Sequence, residues 1–203
     1  LPRALEDRPV VLLNCLPRRG ALPAVVPDER AAGRAAAAAL LERGHTDRIH
    51  LVGEVPPGAY AGGERLAGIT AELATAGQQL AGHLACVWWP PDTRTAVHPL
   101  VAGSAGGGRP SAVIAINDRV AMGVYQAAAA AGVRIPEELS VVSFDGSDLA
   151  RWLHPGLTSV ALPYREMGMR AIELLVGEPP GARGLHRVPM PLQVRESIAA
   201  PES

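Results

Sequence analysis

The chain has no lysine. All 19 of its basic Lys/Arg positions are arginine, set against 20 acidic residues, for a net charge of -1. Alanine, glycine and proline are abundant beside it, and together these features read as coding bias rather than function. A near-neutral balance excludes a free nucleic-acid-binding module, which carries a clear basic excess. Cysteine is scarce too. Cys15 and Cys86 are too few for a disulfide scaffold; they suit a reducing cytosol and leave room for one bridge at most. No lysine-led apolar leader opens the sequence and no apolar run is long enough to span a bilayer, so a cytoplasmic protein without a membrane partner is expected. The six histidines (His45, His50, His83, His98, His154 and His186) show no metal-ligand spacing. A nucleophile elbow and a Walker loop are both missing. Residues 103–108 (GSAGGG) lack the Lys-Ser/Thr needed to cradle phosphate and read as a flexible loop. No catalytic residue, metal or cofactor is expected, and no internal repeat is visible.

What is present is a core. Apolar residues make up 48% of 203 positions, enough for one or two modest domains. Short β-branched runs predict strands at 9–14, 23–27, 49–52, 84–88, 112–116, 139–144, 157–162 and 188–194. Helices are predicted at 32–41 behind an Asp28 cap, at 64–76, 96–101, 118–131 and 149–153, and from Pro163 to Leu175. Gly44, Gly77 and Gly132 stand where helix C-caps belong. Strands alternating with helices of this length predict βαβ units and a parallel sheet. The run at 139–144 holds no charge, the mark of a central strand covered on both faces.

The most informative stretch is 111–162. A buried strand runs into Asn117-Asp118, a helix follows and is stopped by Gly132 and Pro136, and a second buried strand ends on Asp145. Polar groups at the C-terminal ends of parallel strands are where open α/β sheets bind small molecules.

Taken in order, Ala115-Ile116-Asn117-Asp118, Ala121-Met122-Gly123, residues 133–136, 138–145, Pro155-Gly156-Leu157-Thr158-Ser159-Val160 and Met167-Gly168 resemble the effector-binding domain of the LacI/GalR family of bacterial transcription regulators. Asp28, Gly33, Gly44-His45 and the closing Arg195-Glu196-Ser197 extend the likeness over nearly the whole chain. The resemblance implies an α/β fold of the periplasmic-binding-protein-like type I: two lobes with parallel sheets flanked by helices, the first lobe incomplete here. It divides the chain into 1–27 (partial N-terminal lobe), 28–158 (C-terminal lobe), 159–178 (return segment) and 179–203 (terminal strand and tail). It also implies a homodimer, allosteric control by a small-molecule effector such as a sugar, and operator DNA read through an N-terminal helix-turn-helix that this sequence does not include.

The same resemblance nominates ligand-binding residues, and each has a plainer reading. Arg65 would grip paired hydroxyls or a carboxylate; the plainer role is a helix arginine in a surface ion pair. Asn117 would meet a hydroxyl with its amide, or cap the following helix; Asp118 is equally placed to cap and is assigned the structural part. Asp145 would accept from ligand hydroxyls, or cap a turn. Ser143 stands where the family often has glycine, and Gly146 where it often has a second acid. Asn14, Trp88 or Trp89, and Tyr164 complete the set, with a tryptophan stacking on a sugar face, or sitting in the core or at a surface. Leu162 implies a less polar pocket than a typical sugar site. An effector-sensing domain of a probable repressor is the leading reading. A solute-binding protein of a sugar transporter and a purely structural dimerisation module are the alternatives.

Overall fold

The computed structural model describes residues 9–17, 22–104, 108–177 and 184–201. Its elements in chain order are β1 (Leu12–Leu13), β2 (Ala24–Pro27), α1 (Glu29–Leu41), β3 (Ile49–Val52), α2 (Tyr60–Thr75), β4 (Gly82–Leu84), α3 (Pro90–Val101), β5 (Ala112–Ala115), α4 (Asp118–Ala131), β6 (Ser140–Asp145), α5 (Asp148–Trp152), β7 (Thr158–Ala161), α6 (Tyr164–Val176), β8 (Leu185–Val188) and β9 (Leu192–Gln193). They form two compact units: Leu1–Asp28 with Leu162–Met190, and Glu29–Ala161 with Pro191–Ser203.

The larger unit is built on a six-stranded sheet of order β4-β3-β5-β6-β7-β9, parallel except for the antiparallel edge strand β9. Its inner strands β3, β5 and β6 are built largely on Val, Ile, Leu, Ala and Phe. β5 is buried along its whole length, as is all of β6 except its last residue, Asp145. The chain places β4 on one side of β3 and then crosses to place β5 on the other. The C-terminal ends of β3 and β5 therefore flank a topological switch point, the position at which open α/β sheets hold ligands.

Helix chemistry explains the layers. α1 buries Ala32, Gly33, Ala36, Ala37 and Ala39 with Leu40, a stripe of small side chains that allows close approach. It packs on α2, which buries Gly62, Arg65, Gly68, Ile69 and Leu73. α3 packs on α4. The N-cap of α4 is Asn117, whose side chain accepts a 2.9 Å bond from Val120 N, and its C-cap is the left-handed Gly132 at φ +69°.

The C-terminal tail is stitched under the sheet. Ser197 Oγ accepts from Thr158 N at 2.8 Å and donates to Val141 O at 2.5 Å. Nearby, the buried ring of His45 meets Ala199 O at 2.9 Å, Ser140 Oγ at 3.0 Å and Ser111 Oγ at 3.2 Å. These contacts lie at the N-terminal ends of β5 and β6. A cavity of about 210 Å³ beside them is lined by Arg48, Arg109 and Glu138 among others. Arg109 pairs with Glu138 at 3.1 Å and Arg48 with Asp47 at 3.4 Å.

The smaller unit is a parallel three-stranded sheet, β1-β2-β8, with α6 against β1 and β2. β2 is its buried centre.

Apart from an earlier start of α1 at Glu29 and a β1 confined to Leu12–Leu13, four expected elements differ. The helix expected at 96–101 begins at Pro90, because Pro90 and Pro91 occupy first-turn positions where a missing N–H is harmless. α2 starts at Tyr60 rather than at 64. The strand expected at 84–88 is assigned to Gly82–Leu84, although Glu54 N still bonds Cys86 O beyond it. The terminal strand expected at 188–194 is two strands: β8 joins the smaller unit and β9 the larger one, with Pro189 and Pro191 between them unable to donate to a ladder. Of the expected loop at 103–108, residues 105–107 lie outside the described residues.

Candidate functional site

The C-terminal ends of β5 and β6 carry a cluster of charged and polar side chains. Its centre is Arg65, 7% exposed, on the inner face of α2. Nε donates to Glu29 Oε2 at 2.5 Å and Nη2 to Glu29 Oε1 at 3.1 Å, a two-pronged bond to a carboxylate only 2% exposed. Nη1 donates to Ile116 O at 2.7 Å, at the end of β5 beside Asn117. The guanidinium lies over the Phe144 ring, 4.8 Å from its centroid. Asp145 Oδ1 stands 3.6 Å from Nη2.

Asp145 is one-third exposed and closes β6 with φ +100°, a left-handed backbone that ordinary residues avoid. Such strain gathers at functional sites. Burial pushes the Asp145 carboxyl up to about 6; Arg65 pulls it down, while Asp118 and Glu29 push it further up.

Asp118 explains how this backbone is held. Its carboxylate, 1% exposed in the first turn of α4, accepts from Ser143 Oγ (2.5 Å), Ser159 Oγ (2.8 Å), Ser147 N (2.7 Å) and Ser147 Oγ (2.8 Å). Four donors fill both oxygens. Ser159 Oγ in turn accepts from Gly146 N at 3.0 Å. Gly146 has φ +60°, and a Cβ there would collide with Ala161. The serine at 143 and the glycine at 146 are thus parts of one device: the serine anchors Asp118, and the glycine lets the chain turn tightly after Asp145.

The residues nominated from sequence fall out as follows. Arg65 and Asp145 come together, and Asn117 adjoins the carbonyl that Arg65 grips. Asn117 Oδ1 makes the helix cap, and Asp118 has the structural role assigned to it. Trp88 and Trp89 follow β4. Trp88 Nε1 donates to Glu54 O at 3.0 Å just past β3, and Trp89, 59% exposed, caps α3. Asn14 and Tyr164 belong to the smaller unit: Asn14 follows β1 with φ +56°, and Tyr164 opens α6 with its side chain exposed. Glu29 went unnoticed in the sequence. An acid one residue after a capping Asp28 looks like an ordinary first-turn charge favoured by the helix dipole. Among the described residues no group of three or more His, Cys, Asp or Glu could hold a metal ion, and no helix is long and apolar enough to cross a membrane.

Comparison with known proteins agrees with this fold. A family model described as a periplasmic binding protein-like domain matches residues 24–198. The sucrose operon repressor of Escherichia coli is 32% identical over 202 residues, covering 96% of this chain and 59% of that protein. The HTH-type transcriptional repressor PurR of Vibrio cholerae is 31% identical over 180 residues, covering 85% of this chain and 51% of that protein. Among solved structures, a LacI family transcriptional regulator from Enterococcus faecium with bound ribose is 28% identical with a TM-score of 0.82, covering 98% of this chain and 74% of that one. A putative LacI-family regulator from Rhizobium etli is 29% identical with a TM-score of 0.80, covering 94% and 70%. The chain spans little more than half the length of the curated relatives. Together the ordered motifs, the two α/β units and these matches show that the chain belongs to the periplasmic binding protein-like family, among the effector domains of LacI/GalR-type regulators.

Proposed function

We propose that this chain is the effector-sensing and dimerisation part of a DNA-binding transcriptional repressor that responds to a sugar or a similar polar small molecule. The observation that carries this reading is the placement of Arg65 beside Asp145 at the C-terminal strand ends next to the topological switch point: a donor, and an acceptor on strained but anchored backbone, where α/β sheets take ligands. Asp145 accepts from a ligand hydroxyl and Asn117, its Oδ1 committed to the cap, offers an amide N–H. The sugar class draws support from the sucrose operon repressor and the ribose-bound relative.

In this proposal the parent protein is a homodimer that reads operator DNA through an N-terminal helix-turn-helix. Two symmetric heads would require two half-sites spaced by the helical repeat. The effector biases the regulator between two conformations through unequal affinity for them, and operator affinity follows.

The test is a titration of the full-length parent with sugars and nucleosides while its binding to operator DNA is followed by fluorescence anisotropy. One compound should shift operator affinity and raise the melting temperature. Asp145→Ala should weaken that compound's binding while leaving the circular dichroism spectrum unchanged. Alanine at Asn14, Trp88, Trp89 and Tyr164 tests their part in the same assay. A parent that binds no DNA but still binds sugar would instead be a solute-binding protein.

A further inference from the structure

Arg65 is the obvious anchor for an anionic effector, yet its charge is already committed. The side-on edge of the guanidinium, Nε with one N–H of Nη2, is closed by Glu29. One N–H of Nη1 is held by the carbonyl of Ile116, and one face lies on Phe144. Of the five N–H donors of an arginine, two remain, one of them on the nitrogen that faces Asp145. Two carboxylates stand against this guanidinium, Glu29 and Asp145, and the fully donated Asp118 acts on Asp145. The carboxylates of Asp118 and Glu29 act on Asp145 against the pull of Arg65. An incoming phosphate or carboxylate would meet uncompensated negative charge, and Arg65 could not turn its side-on edge toward it without leaving a buried Glu29 unpaired. A hydroxyl, by contrast, can accept from one of the two remaining N–H groups of Arg65 and donate to Asp145.

We infer that Glu29 is a positioning residue that sets the charge class of the effector: by holding the side-on edge of Arg65 it makes the site select neutral polyhydroxylated ligands and reject phosphorylated or carboxylated ones. This rests on the reading of Arg65 and Asp145 as the effector site, and it adds a residue and a ligand class to that reading.

The test uses paired probes on the intact chain: ribose against ribose 5-phosphate, glucose against glucose 6-phosphate, and sucrose against sucrose 6-phosphate. Affinities are measured by calorimetry at pH 7.5 and constant ionic strength. The wild type should bind the neutral member of at least one pair and the phosphate at least about tenfold more weakly, the scale expected of like-charge juxtaposition. Glu29→Gln keeps a hydrogen-bond acceptor but frees the charge of Arg65, so the preference within that pair should narrow by about tenfold or reverse. Glu29→Asp should keep the wild-type preference. A merely structural ion pair would lower stability in Glu29→Gln without changing the ratio. The wild-type ratio needs no variant, so a Glu29→Gln protein that fails to fold leaves the inference open to refutation. A wild type that prefers the phosphate, or a folded Glu29→Gln with an unchanged ratio, overturns the inference and leaves the sensor reading standing. Sugar binding that survives Asp145→Ala unchanged, or a chain that binds no member of any pair, overturns the sensor reading and this inference with it.

Discussion

Gly33 of α1 and Gly68 of α2 sit against each other's helix backbones. A Cβ on Gly33 would lie well inside 3.0 Å of the Arg65 carbonyl oxygen, and one on Gly68 equally close to the carbonyl oxygen of Arg30. This reciprocal contact draws the two helices together and brings Glu29, one turn before Gly33, level with Arg65, one turn before Gly68. Backbone cannot rotate aside as a side chain can. Gly33→Ala or Gly68→Ala should therefore destabilise the larger unit by about 1–3 kcal/mol or more, read as a lower urea midpoint. A variant with an unchanged midpoint would show that the helices can separate freely.

The Arg65–Glu29 pair should behave as a buried pair. Arg65→Ala leaves a carboxylate stranded and should cost about 3–5 kcal/mol. Arg65→Met combined with Glu29→Leu removes both charges and should recover much of that loss. Asp145→Ala removes a carboxylate whose charge burial disfavours, and should not lower the midpoint. Denaturant titration of the four proteins checks all three statements.

The Asp145 carboxyl, raised in the folded protein from 3.8 to about 6, binds a proton in the folded state that the unfolded chain has already released. Stability from this group therefore falls as pH rises from about 4 to about 6, and the penalty is fully present above 6. Asp145→Asn should remove it, raising stability at pH 7 by about 1–2 kcal/mol once solvent screening at a one-third exposed group is allowed for. Equal wild-type and variant stabilities at pH 7, with a difference at pH 4, would refute this.

His45 works in the opposite direction. Burial holds its folded pKa below 6.5, so the unfolded chain takes up the proton first and stability is lost as pH falls below that value. The Ala199 carbonyl and Asp47 favour the charged ring, whereas Arg43 disfavours it. Where the two ranges overlap, below about pH 6, the two slopes oppose each other in the wild type. Asp145→Asn should expose a stability that rises with pH, and His45→Gln one that falls. Denaturation midpoints measured at several pH values read the sign directly, and parallel profiles would disprove the pairing.

The alternation of strands and helices was readable from local pattern. Uncharged runs such as 139–144 marked buried strands, and Asn117 and Gly132 bracketed α4 as their types demand. The errors were local rules applied without partners. The helix expected from 96 starts six residues earlier, with the two prolines at 90–91 as its first turn, and the apolar residues of 188–194 looked continuous although they join two different sheets. The family likeness pointed to Arg65 and Asp145. It gave no hint of Glu29, because nothing within a few residues of it indicates a partner 36 positions away.

Periodicity, capping residues and chain order thus determined by themselves that this protein is an α/β domain with polar groups at its strand ends, since those features depend on neighbours within one turn or one strand. Only the tertiary structure decided that Arg65 is held by Glu29, that Asp118 gathers four donors from three serines up to 41 residues away, and that Asp145 is bent into a left-handed backbone. The reason is physical: a buried polar group takes whichever partner three-dimensional packing brings within about 3 Å, and that choice has no signature in local sequence.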